Sequence, residues 1–199
     1  MAHGKNYGAL ACCLALAVLA GVGCVPPRSF SPPPAGVVMQ PGSYLTEYYV
    51  APEFDPTQGA CHLGPFTVEQ THGVAPDVFL PIFQAELTRA WEANGLKTAA
   101  QAPESGCALT GVLNLVSIRG ESLRFLQGSI SGQLMVSGTI TRAGRVVFAF
   151  RDRISEDSPV NPGPQAPKEK ELLLRQICRS FAHRLLDELL LHGLTPEGR

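Results

Sequence analysis

Hydrophobic positions along the chain change their spacing several times, and each spacing predicts a different element. In "APDVFLPIFQAELTRAWEANGL" large apolar residues recur every four positions, which is the spacing of one buried face of a helix. The segment "KEKELLLRQICRSFAHRLLDELLLHGL" has a similar helical spacing near the end of the chain. Both runs meet a glycine where the periodicity stops, and glycine commonly follows the last turn of a helix. Two amphipathic helices are therefore predicted.

Between these helices, apolar and polar residues alternate, which is the spacing of β-strands. The segments "GSISGQLMVSGTIT" and "RVVFAFRDRI" both follow this alternation, and only the connection "RAG" separates them. Glycine in such a connection can take the positive φ that tight hairpin turns need. We therefore expect the two strands to form a β-hairpin.

A third strand segment, "ALTGVLNLVSI", carries apolar residues at both odd and even positions. Uninterrupted alternation places Leu113 and Leu115 on one face and Val116 and Ile118 on the other. Apolar residues on both sides are typical of a strand that is covered on both faces. We therefore expect this part of the sheet to be largely covered.

Three shorter β-prone runs complete the pattern. "SYLTEYYV" and "HLGPFTVEQ" precede the first helix, and "LKTAA" follows it. The order of strand, helix, four strands and helix predicts an α+β fold, an antiparallel sheet with two helices packed on one face. A chain of 199 residues suits one such domain, which we assign to residues 43–199.

The start of the chain differs from this domain and has the build of a signal peptide. Lys5 and the free amine give a positive start, and Ala9 to Gly23 then runs for fifteen residues without a charge. A membrane-spanning helix needs roughly 20 apolar residues, and Pro26 and Pro27 prevent this run from continuing as a helix. Residues 1–23 are therefore predicted to direct export and to be removed.

The exit of the apolar run, "GVGC", resembles the bacterial lipobox. In that motif, small or apolar residues precede a cysteine that is lipidated on sulfur and becomes the new N-terminus. Val22 and Gly23 fit the motif, whereas Gly21 stands where leucine is usual. The resemblance implies that Cys24 carries acyl lipid such as palmitate. The alternative is ordinary cleavage near this point, which would leave Cys24 as a thiol.

Residues 24–42 contain six prolines and show little periodicity. This composition favours extended conformations over a packed core and predicts a tether that reaches on the order of 50 Å. The protein would then contact the membrane of the bacterial cell envelope through the lipid on Cys24. Val25 follows the cysteine in place of Asp, which under the enterobacterial sorting rule favours the periplasmic face of the outer membrane over the inner membrane.

Composition and cysteine count narrow the picture further. Charged residues make up 17% of the chain and the net charge is -1, so we expect no nucleic-acid partner, which usually requires a clustered basic excess. Once the signal segment and Cys24 are set aside, an odd number of cysteines is left: Cys61, Cys107 and Cys178. Cys61 and Cys107 begin predicted strands and are the candidate disulfide. Three separate buried thiols are the alternative.

The sequence shows no nucleophile elbow, no phosphate-binding glycine loop, no C-x-x-C and no H-E-x-x-H pattern, so we expect neither catalytic residues nor a cofactor. The nearest approach to a metal site is the group Cys61, His62, Glu69 and His72. Thiolate and imidazole are zinc ligands, but this spacing matches no known zinc module. We therefore expect no metal, and polar residues at strand ends are the preferred interpretation of this group.

The connection "RGESLRFLQG" places Leu123, Phe125 and Leu126 among turn-forming residues. Apolar side chains on a loop can mark a contact surface for a partner or a lipid. Alternatively, the flanking strands extend into this segment and these side chains belong to the core.

The order of elements and several glycines resemble small α+β lipoproteins of bacterial envelopes. The nearest resemblance is to a lipoprotein family named only as a domain of unknown function, and more distant ones are the lipopolysaccharide-assembly lipoprotein and auxiliary lipoproteins of envelope transporters. The matching positions lie in or next to the three long strands: Gly120, Arg124, Gly128, Gly132, Gly144 and "RVVFAF". The resemblance implies a fold and a compartment, but a fold does not determine a function.

Three functional hypotheses follow. The first is a non-catalytic, lipid-anchored envelope lipoprotein that acts as a binding module, or as an accessory in assembly or transport, with an envelope protein or lipid as its partner. The second is a periplasmic metal-dependent enzyme that uses Cys61, His62 and His72. The third is a carrier of a lipid-like ligand between the sheet and its two helices.

Overall fold

The computed structural model describes residues 29–101, 106–120, 129–159 and 166–193. Two helices lie in these ranges, α1 (Pro76–Ala93) and α2 (Ala166–Gly193). The strands are β1 (Gln40–Pro41), β2 (Glu47–Val50), β3 (Ala60–Val68), β4 (Thr71–His72), β5 (Lys97–Ala99), β6 (Cys107–Arg119), β7 (Ser129–Arg142) and β8 (Arg145–Pro159). The predicted α+β fold is confirmed.

The strands form one sheet in the order β1-β2-β8-β7-β6-β3-β5, with β4 beside β6. The long strands β6, β7 and β8 pair antiparallel, as predicted. By contrast, β3 pairs parallel with β5 and β6, and β4 pairs parallel with β6. Since α1 crosses over between β3 and β5, it returns the chain in the same direction. The sheet is therefore mixed, although mostly antiparallel.

The predicted hairpin joins β7 to β8. Arg142 and Arg145 are its last paired residues, and Ala143 and Gly144 form the turn with φ values of 49° and 75°. Positive φ at both central positions matches the twist of the strands, and glycine at the second position takes it without steric cost.

A β-bulge in β6 changes which residues share a face. The pairing with β7 shifts between Leu113 and Leu115, and the extra residue changes the phase of the alternation. Val116 and Ile118 consequently belong to the same buried cluster as Leu113. Leu115 is instead paired with Met135 on the opposite face. The prediction that Leu113 and Leu115 share a face is therefore wrong.

Aromatic side chains fill the space between the sheet and the helices. Phe83 of α1 lies 4.9 Å from Phe66 of β3 and 5.5 Å from Phe181 of α2, measured between ring centroids. Phe181 lies 5.8 Å from Phe150 of β8. All four rings are buried, so they occupy the space in which the carrier hypothesis placed a lipid-like ligand.

A disulfide joins Cys61 at the start of β3 to Cys107 at the start of β6. The two residues are register partners with Cα atoms 4.4 Å apart, and they form the pair that the sequence indicated. Cys178 is a free thiol buried on α2, and its burial raises the pKa of the thiol. In the described part of the chain, neither helix is long and apolar enough to cross a membrane.

Candidate functional site

The described part of the predicted tether lies against the face of the sheet that points away from the helices, which we call the outer face. Ser31 donates a hydrogen bond to Glu69, and Arg151 of β8 donates one to the carbonyl oxygen of Ser31. The Phe30 ring lies 5.9 Å from the Arg151 guanidinium and 5.8 Å from that of Arg153. Residues 29–39, here called the N-terminal segment, are thus fixed to the domain.

The bulge in β6 supplies the centre of this attachment. Asn114 stands at the bulge and is 3% exposed. Its side-chain amide donates to Ser31 Oγ at 2.7 Å and to Glu69 Oε2 at 3.0 Å, and it accepts from Ser137 Oγ at 2.9 Å. We call Ser31, Glu69, Asn114, Ser137 and Arg151 the asparagine cluster. Every side chain in it has a hydrogen-bond partner within the cluster.

Next to this cluster, a groove of about 270 Å³ runs between the N-terminal segment and the outer face. Pro32–Pro34 and Met39 line one side, and Thr110, Thr139 and Ala149 lie along the sheet. The backbone of the segment turns where Val37 N–H donates to the Pro34 carbonyl oxygen at 3.1 Å. The groove exists because small strand side chains face a stiff, proline-rich wall.

Two adjacent glycines also border the groove. Gly111 of β6 is paired with Gly138 of β7. A Cβ atom at Gly111 would come within 2.6 Å of the Phe66 ring, and one at Gly138 within 2.5 Å of the Phe150 ring. The aromatic rings of the core therefore occupy the space that side chains at these positions would need.

The chemistry of the groove is that of a binding surface. Its described lining consists of hydroxyl, proline, glycine and apolar groups with one ionisable side chain, Arg151. The Arg151 guanidinium pairs with Glu47 at 3.1 Å, in addition to its bond with Ser31. These groups can contact a ligand through apolar surface and hydrogen bonds. They also offer one positive charge, which Arg151 already shares with Glu47.

A buried carboxylate on α2 holds the chain that follows the N-terminal segment. Glu188 is fully buried and accepts hydrogen bonds from the backbone N–H groups of Tyr44 at 2.6 Å and Leu45 at 3.1 Å. His192 lies 2.9 Å from its second oxygen. Burial alone would raise the pKa of Glu188, but these hydrogen bonds outweigh it and hold the pKa below its ordinary value.

Asp152 of β8 binds the same loop through only one of its two carboxylate oxygens. Its Oδ1 accepts from Thr46 N–H at 3.1 Å, from Thr46 Oγ1 at 3.0 Å and from Arg184 at 2.9 Å. Its Oδ2 is buried without a hydrogen-bond partner. Burial therefore raises the pKa of Asp152, and the bonds from Arg184 and Thr46 offset only part of that rise. Periodicity alone did not single out either acid, because Tyr44 and Thr46, whose backbone N–H groups donate to them, lie more than 100 residues away in sequence.

The residues of the proposed metal site are not brought together. Cys61 is bonded to Cys107, and His62 Nδ1 lies 3.2 Å from the Ala99 carbonyl oxygen. His62 is the register partner of Ala108 and His72 that of Ser117, nine positions further along β6. Nine strand positions span about 30 Å, so these three residues cannot form one metal site. Among the described residues, no group of three His, Cys, Asp or Glu side chains could hold a metal ion.

Two sets of predicted site residues lie outside the described residues. Cys24, the predicted lipid acceptor, precedes the first described residue. Leu123, Phe125 and Leu126 fall between Gly120 and Ser129. Their assignments stay predictions.

The fold is thus that of a small α+β domain with helices on one face and a groove on the other, and similar solved structures exist. Rare lipoprotein B from Shewanella oneidensis is 15% identical, with 69% of this chain and 99% of that chain covered and a TM-score of 0.44. A minor lipoprotein from Acinetobacter baumannii is 14% identical over 62% and 88% of the two chains, with a TM-score of 0.43. A putative lipoprotein from Caulobacter crescentus is 15% identical over 64% and 92%, with a TM-score of 0.40.

All three of these solved structures are described as bacterial lipoproteins, the class that the sequence also resembles. No family model and no curated protein matches the chain.

Proposed function

We propose that the protein is a non-catalytic lipoprotein of the bacterial envelope, anchored by a lipid on Cys24, whose outer face binds another envelope component. The observation that carries this proposal is the path of the N-terminal segment. The segment begins five residues after Cys24 and forms one wall of the groove. The anchor and the candidate binding surface therefore belong to one continuous stretch of chain.

This arrangement shortens the tether. Five residues span at most about 18 Å when fully extended, compared with the 50 Å or so expected for a free tether of residues 24–42. An anchored protein would therefore hold its outer face close to the membrane surface. Such a position suits the binding of a neighbour at that surface, and we place it at the periplasmic face of the outer membrane on the basis of Val25.

The anchor is tested by replacing the predicted acceptor. Cys24→Ser should release the protein from the membrane fraction and abolish incorporation of labelled palmitate. Cys13→Ser makes the same chemical change inside the predicted signal peptide and should leave both unchanged. If Cys24→Ser stays membrane-bound with its processing intact, the lipid anchor is ruled out.

The groove is tested by filling it. Thr139 lines the groove, so Thr139→Trp should remove components that co-purify with the wild-type protein in mild detergent, while the variant stays anchored. Thr98→Trp, on the exposed edge strand β5, is the matched control and should retain them. Equal recovery with both variants would show that the groove is not the binding surface.

A further inference from the structure

A second polar site lies on the outer face, beyond the asparagine cluster. It is a pocket of about 160 Å³ lined by the side chains of Ser117, Arg119, Ser131, Gln133 and Ser155. We call it the serine pocket. Its members come from three neighbouring strands, because Gln133 is the register partner of both Ser117 and Ser155, and Ser131 is that of Arg119.

Two polar groups of this pocket, on Ser117 and Arg119, have capacity to bind a ligand. Ser117 is 1% exposed, and its Oγ is buried without a hydrogen bond to any residue. Within the described part of the chain, Arg119 forms no ion pair, although it is exposed. A buried hydroxyl without a partner costs free energy, and in native proteins such a group usually has a ligand, a water or a functional reason.

The donors in the pocket fit an anion that is rich in oxygen. Arg119 contributes a fixed positive charge with several N–H donors, and the three serine hydroxyls and the Gln133 amide add neutral donors. The described lining contains no carboxylate. The nearest acid by register on the outer face is the exposed Asp157, which is paired with Ser131 and does not line the pocket; Glu156, paired with Gly132, bonds to Gln176 and Ser180 on the helix side. Arginine with several hydroxyls is well suited to a phosphate group.

The position of the pocket relates it to the predicted lipid anchor. Ser31 is bonded to Arg151, and Phe30 lies between Arg151 and Arg153, so the chain runs toward the next outward-facing residue of β8, Ser155. Ser29 is therefore at the pocket end of the N-terminal segment, and Cys24 lies at most about 18 Å beyond it. An anchored protein thus holds this pocket near the lipid headgroups.

We infer that the serine pocket binds the phosphate of a phospholipid headgroup in the membrane that holds the lipid of Cys24. This inference rests on the proposed lipid anchor. The pocket accommodates a phosphate but not acyl chains, so the chains remain in the bilayer while the headgroup enters. Bound phosphate gives Arg119 an anionic partner and accepts a hydrogen bond from the Ser117 hydroxyl, which has no partner among the described residues.

The test uses the full-length protein in a nonionic detergent. The protein is titrated with dihexanoylphosphatidylglycerol, dihexanoylglycerol or inorganic phosphate, and binding is followed by calorimetry. Each of the two lipids is kept below its own critical micelle concentration. We expect saturable binding of the phosphatidylglycerol, weaker binding of inorganic phosphate, which lacks the glycerol groups of the headgroup, and no binding of dihexanoylglycerol. Arg119→Gln should weaken it by about tenfold, since a charge-assisted hydrogen bond is lost, and Ser117→Ala should weaken it less. Arg145→Gln, an exposed arginine of the hairpin outside the pocket, should bind like the wild type.

The inference would be overturned by no saturable binding by the wild type, by equal affinity for dihexanoylglycerol, or by unchanged binding by Arg119→Gln. Inorganic phosphate bound as tightly as the lipid would also overturn it, because the site would then serve free phosphate. The calorimetric measurement does not depend on whether the anchor exists, so a failure of the pocket and a failure of the anchor can be told apart. Membrane fractionation of Cys24→Ser tests the anchor, whereas the soluble lipid reports on the pocket whether or not Cys24 is lipidated.

Discussion

The asparagine cluster and the serine pocket lie on the same face of the same three strands, but they differ in how their polar groups are satisfied. In the cluster, Asn114 has hydrogen bonds to three other side chains, one of which belongs to the N-terminal segment. In the pocket, the equally buried Ser117 has none. The difference indicates that the cluster holds the structure together, whereas the pocket retains hydrogen-bonding capacity for a ligand.

The helix-facing side of β8 and α2 repeats this contrast. Glu188 uses both carboxylate oxygens, while Asp152 uses one and leaves the other buried without a partner. The two acids have opposite pKa shifts for this reason. Burial raises the pKa of both acids. At Glu188, hydrogen bonds to both oxygens outweigh burial and lower the pKa, whereas at Asp152 the hydrogen bonds to one oxygen do not outweigh it.

The largest effect is expected from breaking the asparagine cluster. Asn114→Ala removes the common partner of Ser31, Glu69 and Ser137, and it should lower the free energy of unfolding by about 3 kcal/mol in urea denaturation. Asn94→Ala is the control, since the Asn94 side chain makes one hydrogen bond, to the Ala90 carbonyl oxygen at the end of α1. Equal losses in the two variants would mean that the cluster contributes no more than the single, partly buried hydrogen bond of Asn94.

A smaller, pH-dependent effect is expected at Glu188. Its folded pKa lies below the ordinary 4.5, so its carboxylate stabilises the protein above that pH and this contribution is lost as pH falls through the folded pKa. Glu188→Gln should therefore cost about 2 kcal/mol at neutral pH, and progressively less in acid. Denaturant titrations at several pH values measure the difference, and a pH-independent cost would contradict this account.

Asp152→Asn should show the opposite pH dependence to Glu188→Gln. The folded pKa of Asp152 lies above its ordinary 3.8, so the wild-type protein gains stability as pH falls through the raised pKa. The variant cannot gain in this way. Its cost should be about 1 kcal/mol or less at neutral pH and should grow on acidification, whereas the cost of Glu188→Gln should shrink.

Local patterns predicted the elements, and long-range contacts determined the site. The helices and the β7–β8 hairpin follow from periodicity and a glycine turn, which act over a few residues. β6 carries apolar residues at both odd and even positions, so its alternation did not show that the faces exchange at the Asn114 bulge. Ser31 meets Asn114 across 83 residues of chain, and for this reason composition alone assigned residues 24–42, which include Ser31, to a tether.

The smallest effect is expected from Ser117→Ala, which separates the pocket from the cluster most directly. Because Ser117 Oγ has no partner, its removal leaves nothing unsatisfied, and stability should change by less than about 0.5 kcal/mol. The two sites should then diverge on addition of dihexanoylphosphatidylglycerol. A ligand at ten times its dissociation constant stabilises a protein by about 1.4 kcal/mol, and the wild type should gain this amount while Ser117→Ala gains less. A marked loss of stability without ligand would instead assign Ser117 to the same structural role as Asn114.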